Sequence, residues 1–384
     1  MADKLFTEVA YGSMNKAGEE LCGDSMSVTR AGDSTIVILS DGLGSGVKAH
    51  ILASLTVTMA STMLKEGGSI DMVLEALAAT LPVCQLRELA YSTFTIAQIH
   101  DDGRVYLAEY DNPPAMVGKG RQAKAIERSE RQIGERAVSE AFFQAQDGDW
   151  LVLVSDGVLH AGIGGVWNLG WGWERVEAYV RKVVAKDYSA AEVKDDLLTL
   201  VKRLYGGKPG DDVSCVVIKI RPPRLLTVMV GPPSCPDDDD LVVNRLLSLD
   251  GEKVVCGGTT AQVVARHLDV PLKVELTTMT SDVPPVARLE GVGLCTEGML
   301  TLMKAKRLLV DATPHALRAK RDGASQLARA LLMADQIHFL VGRAINPAHQ
   351  SPDVPPELAL KGQMVEDMID LLEKRNVQVT ADYF

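Results

Sequence analysis

Two apolar runs in this chain break off in the same way. Ile36-Val37-Ile38-Leu39 is followed by Ser40-Asp41-Gly42, and Leu151-Val152-Leu153-Val154 by Ser155-Asp156-Gly157. Four apolar residues in a row, stopped by a turn dipeptide, predict a buried strand that delivers an aspartate to a rim. Around these two runs the pattern predicts further strands over 8–13, 25–30, 92–99, 104–110, 115–117, 138–145 and 213–220. Ala31-Gly32-Asp33, Asp101-Asp102-Gly103 and Asp147-Gly148-Asp149 supply the turns between neighbouring strands. Helical spacing of apolar residues marks 45–65 and 70–81, split by Gly67-Gly68, and a second pair over 173–185 and 190–204. Antiparallel strands with helix pairs inserted after each Ser-Asp-Gly predict an α+β sandwich with helices on the outside.

The pattern changes after Arg221-Pro222-Pro223-Arg224. Paired prolines cannot continue a strand ladder and favour an extended linker. The reading is therefore a first domain over 1–221, a linker over 222–224 and a second domain over 225–384. In the second, apolar strands at 225–230, 253–256 and 335–341 alternate with helices at 237–249, 257–267, 296–309, 323–333 and 357–375. That alternation predicts a small parallel α/β unit. Asp237–Asp240 fall in the first turn of a helix, where negative charge is favourable.

Composition narrows the function classes. The chain has 384 residues, 46% hydrophobic and 24% charged, within the range of a globular protein of two domains. The pattern predicts no apolar stretch of the roughly 20 residues of a membrane helix, and Met1-Ala2-Asp3-Lys4 lacks a signal core. The expectation is a cytoplasmic protein without membrane contact. Six scattered cysteines with no Cys-x-x-Cys pair argue against zinc and against a disulfide framework. The net charge of −11 divides evenly, −6 over 1–224 and −5 over the rest, so neither half is built to meet nucleic acid. His267, His315, His338 and His349 form no metal-ligating pattern and read as structural or surface residues.

The candidate chemistry lies in four acidic motifs: Cys22-Gly23-Asp24-Ser25, Ser40-Asp41-Gly42-Leu43-Gly44, Ser155-Asp156-Gly157 and Gly210-Asp211-Asp212-Val213-Ser214. One Asp-Gly alone is a turn. Four carboxylates beside glycines, brought together, would offer the oxygen ligands that Mg²⁺ or Mn²⁺ requires. In order and spacing these motifs resemble the metal-dependent protein phosphatase (PPM) superfamily, in its branch of bacterial stage II sporulation protein E-like serine phosphatases. The resemblance spans about 7–220 and nothing beyond Pro222. It implies a sandwich of two antiparallel sheets flanked by helix pairs. It also implies two or three Mn²⁺ or Mg²⁺ ions and a metal-activated water that attacks a phosphoserine or phosphothreonine phosphoryl group.

Carried over residue by residue, the resemblance makes Asp41 the bridging ligand and Gly42 a carbonyl ligand. Asp156 and Asp211 hold the first metal, and Asp24 acts on the second-metal side through water. Asp212 supports the set by orientation. Leu43 stands where many relatives carry a histidine acid, and no arginine matches the phosphate clamp; Lys16 and Asn15 sit nearest that place. The implied partner is a phosphoprotein. The second domain would regulate the first, through a homodimer or a regulatory partner, or through an anion held by Gly257-Gly258-Thr259-Thr260 at a helix start. Two other readings are a binding module with a vestigial metal site and a phosphatase of small molecules. The intact carboxylate set weighs against the first.

Overall fold

The structure is a computed structural model. It describes residues 4–80, 83–84, 89–90, 92–134, 136–165, 167–186, 188–344, 357–375 and 377–384. The chain divides into two compact units, Met1–Pro222 and Pro223–Phe384. His349 lies outside the described residues.

In chain order the first unit contains β1 (Phe6–Met14), β2 (Asp24–Ala31), β3 (Ser34–Asp41), α1 (Gly46–Lys65), α2 (Ile70–Thr80), β4 (Val83–Cys84), β5 (Leu89–Ala90) and β6 (Phe94–His100). There follow β7 (Arg104–Tyr110), β8 (Met116–Lys119), β9 (Gln122–Ala123), β10 (Ser129–Ile133), β11 (Arg136–Gln144) and β12 (Asp149–Val154). The unit ends with α3 (Asp156–Leu159), α4 (Trp173–Val184), α5 (Ala190–Leu204) and β13 (Val213–Arg221). Among the described residues two large antiparallel sheets form, in the orders β1-β13-β12-β8-β9 and β10-β11-β7-β6-β3-β2, beside the two-stranded β4-β5 ribbon. Helices cover their outer faces, giving the helix-flanked α+β sandwich that the resemblance implies.

The layering explains why the two Ser-Asp-Gly strands are apolar without alternation. On β3, Val37 and Leu39 pack between the sheets against Leu151, Leu153, Val216 and Ile218. Ile36 and Ile38 face the other way, onto Val57, Ala60, Leu74 and Leu77 of α1 and α2. On β12, Leu151 and Leu153 point inward, while Val152 and Val154 meet Val176, Val180, Val193 and Leu197 of α4 and α5. A strand covered on both faces keeps no polar side. Each such side chain contributes about 1.5–3 kcal/mol on burial.

One expectation is corrected. By length and composition the 20-residue α1 is apolar enough to cross a membrane. Its apolar character comes from two sides at once. Ala49, Ala53, Val57, Ala60 and Leu64 are buried on the sheet, and Val47, Ile51 and Leu55 are exposed on the opposite face.

The second unit comprises β14 (Leu225–Val230), α6 (Asp239–Ser248), β15 (Glu252–Cys256), α7 (Gly258–Leu268), β16 (Lys273–Glu275), β17 (Val286–Leu289) and β18 (Val292–Thr296). It continues with α8 (Met299–Asp311), α9 (Pro314–Leu317), α10 (Gly323–Met333), β19 (Gln336–Val341), α11 (Glu357–Glu373) and β20 (Gln378–Tyr383). Its sheet runs β16-β17-β18-β15-β14-β19-β20. The five strands from β18 to β20 are parallel, and β16 and β17 add an antiparallel edge. Val228, Val254 and Phe339 face α8, α10 and α11, whereas Met229, Val255 and Leu340 face α6 and α7. The unit is a mixed rather than wholly parallel α/β sheet. Helix 296–309 of the sequence reading becomes the end of β18 followed by α8.

Candidate metal centre

The first corner is made by pairing β2 with β3. Their antiparallel register sets Asp24 opposite Asp41 at the open end of the hairpin. The Gly42 N–H donates to the Gly23 carbonyl at 3.2 Å. A Cβ on Gly42 would collide with the backbone of Ala49, so α1 lies directly on the turn that carries Asp41. Buried Ser40 donates to the Thr93 carbonyl at 2.7 Å. The serine of this motif therefore ties the strand end to its neighbour.

The second corner repeats the device. Buried Ser155 accepts from the Ser214 N–H at 2.9 Å, and the Ser155 N–H donates to the Ser214 carbonyl at 3.0 Å. A Cβ on Gly157 would collide with the carbonyl oxygen of Asp212. The Tyr205 hydroxyl donates to the Gly157 carbonyl at 2.7 Å. The Ser-Asp-Gly turn at 155–157 is thus clamped onto the Asp211-Asp212 turn. The two corners also meet each other, because a Cβ on Gly23 would stand 2.8 Å from Asp212 Oδ2.

The electrostatics show how close the carboxylates lie. Burial raises Asp41 to about 9, and the charges of Asp24, Asp156 and Asp211 push in the same direction. Burial likewise raises Asp24 to about 6, with Asp212 and Asp156 adding to the shift and the hydroxyls of Ser214 and Ser155 opposing it. Asp211 is raised by burial and by Asp156. Both Asp24 oxygens and Asp212 Oδ2 are buried, and the Ser155 and Ser214 hydroxyls near Asp24 reach it without a hydrogen bond of normal geometry. Unpartnered buried carboxylate oxygens are costly unless something positive meets them. The donor set is oxygen-rich, and Gly42 leaves no side chain in the way. These residues fit hard divalent cations.

Asp212 Oδ1 accepts the Lys16 N–H at 3.0 Å, which holds the 15–22 loop to this rim. The Lys16 ammonium stands 4.0 Å from Asp211 Oδ1 and its side chain is 37% exposed. Asn15 is directed elsewhere, its amide donating to the Glu20 carbonyl at 2.8 Å. The reading of the sequence missed His160, whose Nδ1 lies 3.9 Å from Asp156 Oδ2 and 4.0 Å from Asp211 Oδ2. Its only signal was its place four residues after Asp156, one turn along the same face.

In the second unit Gly257 precedes the first turn of α7, and no side chain caps that helix. A Cβ on Gly258 would stand 2.8 Å from Glu297 Oε1, so the chain's own carboxylate already faces this helix start. His267 pairs with Asp240 at 2.6 Å, and His338 with Thr380 and Asp382 at 2.6 and 2.8 Å.

Residues 31–221 match the family model described as stage II sporulation protein E (SpoIIE). Stage II sporulation protein E of Bacillus subtilis is 25% identical over 237 residues, which cover 56% of this chain and 27% of that protein. The protein of the same name from Priestia megaterium is 26% identical over 223 residues, covering 56% of this chain and 36% of its own length. The chain thus matches about a quarter to a third of these relatives' length. A solved structure of the PP2C phosphatase domain and a regulatory-domain fragment of Bacillus subtilis SpoIIE is 22% identical. It covers 57% of this chain and 63% of its own, with a TM-score of 0.49. Over residues 31–221 this chain is similar to the stage II sporulation protein E-like branch of the PPM superfamily.

Proposed function

We propose that the first unit is a divalent-cation-dependent protein serine/threonine phosphatase. The observation that carries this reading is the concentration of Asp24, Asp41, Asp156 and Asp211 at one rim, with Asp24 buried and unpartnered. Such an arrangement serves no packing purpose and is repulsive until cations enter. Bound there, two such ions would lower the pKa of a water and neutralise charge on a phosphoryl group.

Asp24, Asp41, Asp156, Asp211 and the Gly42 carbonyl would hold the ions. Asp212 keeps the Lys16 segment against the rim. The Lys16 ammonium, exposed beside Asp211, can meet a phosphate oxygen of the substrate. The substrate class that the similarity to these phosphatases supports is a phosphoprotein. The second unit, with no comparable carboxylate rim among its described residues, would regulate rather than catalyse.

The test is hydrolysis of phosphoserine peptides and of an aryl phosphate in the presence of Mn²⁺ or Mg²⁺, each against a chelated control. Peptide turnover that depends on the ion supports the reading. Turnover of the aryl phosphate alone points to small molecules. Ion binding with no turnover of either points to a binding module.

A further inference from the structure

The sequence-derived ligand set is made of oxygens alone, but the geometry adds a nitrogen. We propose that His160 is a direct ligand of the ion held by Asp156 and Asp211, and that it biases this site toward transition-metal ions over Mg²⁺. The inference rests on the metal centre of the function proposed above and concerns its composition.

One ligand atom from each of Asp156, His160 and Asp211 lies within 4.8 Å of the other two. The two Nδ1–Oδ2 separations of 3.9 and 4.0 Å exceed the 2.7–3.2 Å of an N–H···O hydrogen bond. Two ligands each about 2.1 Å from one ion stand about 3 Å apart when adjacent and about 4.2 Å when opposite, so an approach of under about 1 Å by the side chains would let all three share a cation. A second observation, at the same rim beside this group, points to a ligand. Asp24 is 4% exposed, its charge is felt by Asp41 beside Asp156 and Asp211, and both its oxygens lack partners.

The backbone that aims His160 is tightly held. The His160 N–H donates to the Asp156 carbonyl at 2.9 Å, which closes the short α3 and puts both side chains on one face. A Cβ on Gly170, at φ +82°, would stand 2.9 Å from the His160 Cα. Gly157 packs against Asp212 on the other side. Ligands placed by such close backbone contacts need little reorganisation when the ion arrives. Mg²⁺ and Mn²⁺ share a preference for oxygen donors, but Mn²⁺ stands with the first-row transition ions, which also take imidazole nitrogen, and Mg²⁺ does not. One histidine among carboxylates therefore shifts preference without excluding Mg²⁺.

The experiment uses the full chain with Mn²⁺ alone as probe. Pulsed electron paramagnetic resonance of the bound Mn²⁺ should show coupling to a directly bound ¹⁴N, and His160→Gln should abolish it. In titrations His160→Gln should lose about tenfold or more in Mn²⁺ affinity while Mg²⁺ affinity moves by less than about threefold. His160→Asp should bind Mg²⁺ at least as well as the parent chain. Melting curves without metal check that the variants fold, as expected for a half-exposed side chain. Wild-type Mn²⁺ without nitrogen coupling, equal losses for both ions, or no Mn²⁺ binding at all would overturn the assignment. Nitrogen coupling in a chain that hydrolyses no phosphopeptide would sustain it while sinking the phosphatase reading.

Discussion

The strand ends of the two units differ in what their glycines accompany. In the first unit Gly42 and Gly157 let the backbones of Ala49 and Asp212 approach, and each follows an aspartate. In the second, Gly342 lets the carbonyl of Pro232 approach in the same way, but it follows Val341. Acids of the second unit are commonly met by bases, as in Lys306–Asp367 at 2.5 Å and Lys304–Asp282 at 2.8 Å. At the rim of the first unit, Lys16 comes no nearer than 4.0 Å to Asp211, and His160 stands at similar range from Asp156 and Asp211. Close glycine packing is thus an architectural device common to both units. Unbalanced charge is what marks a site.

Removing the charge at its centre should have the largest effect. Asp41→Ala should lower phosphopeptide hydrolysis by at least about 100-fold, since even groups that merely orient metal ligands cost 10–100-fold on removal. Calorimetric Mn²⁺ titration should show weakened binding. Activity within a few-fold of the parent would remove Asp41 from the centre.

The glycines come next. Gly42→Ala and Gly342→Ala each force a Cβ onto a carbonyl and should cost about 3 kcal/mol or more, at or above the upper end for overpacked sites. Denaturant melts followed by hydrogen exchange would locate each loss in its own unit. Gly42→Ala alone should alter Mn²⁺ affinity; equal effects of both on the ion would erase the distinction between the rims.

A smaller effect comes from pH. Asp41 and Asp24 are raised to about 9 and about 6 in the folded chain, above the ordinary carboxylate value near 4. The folded state then holds protons that the unfolded chain has released. Stability is full below pH 4 and falls as pH rises toward 9. Without metal, the melting temperature of the first unit should be lower at pH 9 than at pH 6. Saturating Mn²⁺ should narrow that gap, and metal-free Asp41→Asn should be more stable than the parent at pH 9. A metal-free parent with a flat profile would contradict the crowding of charge.

The smallest change tests the clamp. Tyr205→Phe deletes the hydrogen bond to the Gly157 carbonyl and should cost about 1 kcal/mol. A few-fold rise in the Mn²⁺ concentration needed for half-saturation should accompany it. Stability loss with no change in ion affinity would make the tyrosine purely structural.

Much of the scaffold was legible in the chain. Helix 323–333 falls at α10, and both helix pairs of the first unit stand close to where periodicity puts them. Their apolar faces are wide and their strands are buried on both sides, so the signal is strong. The short elements of the second unit were not visible. Lys273-Val274-Glu275 in β16 is largely exposed, and β20 alternates only partly, so neither carries an apolar run. The membrane-like composition of α1 escaped because its apolar residues are diluted by small and hydroxyl-bearing ones.

The sequence by itself determined the order of the acidic turns, the apolar strands that carry two of them, and the break at the paired prolines. These are local facts, written in consecutive residues and fixed by backbone sterics and burial. Only the tertiary structure decided that Asp24 pairs with Asp41, that Gly157 abuts Asp212, and that His160 faces Asp156 and Asp211. Those contacts join residues up to 55 positions apart, and Gly23 approaches Asp212 across 189. They depend on sheet register and helix packing acting together, which no stretch of chain specifies alone.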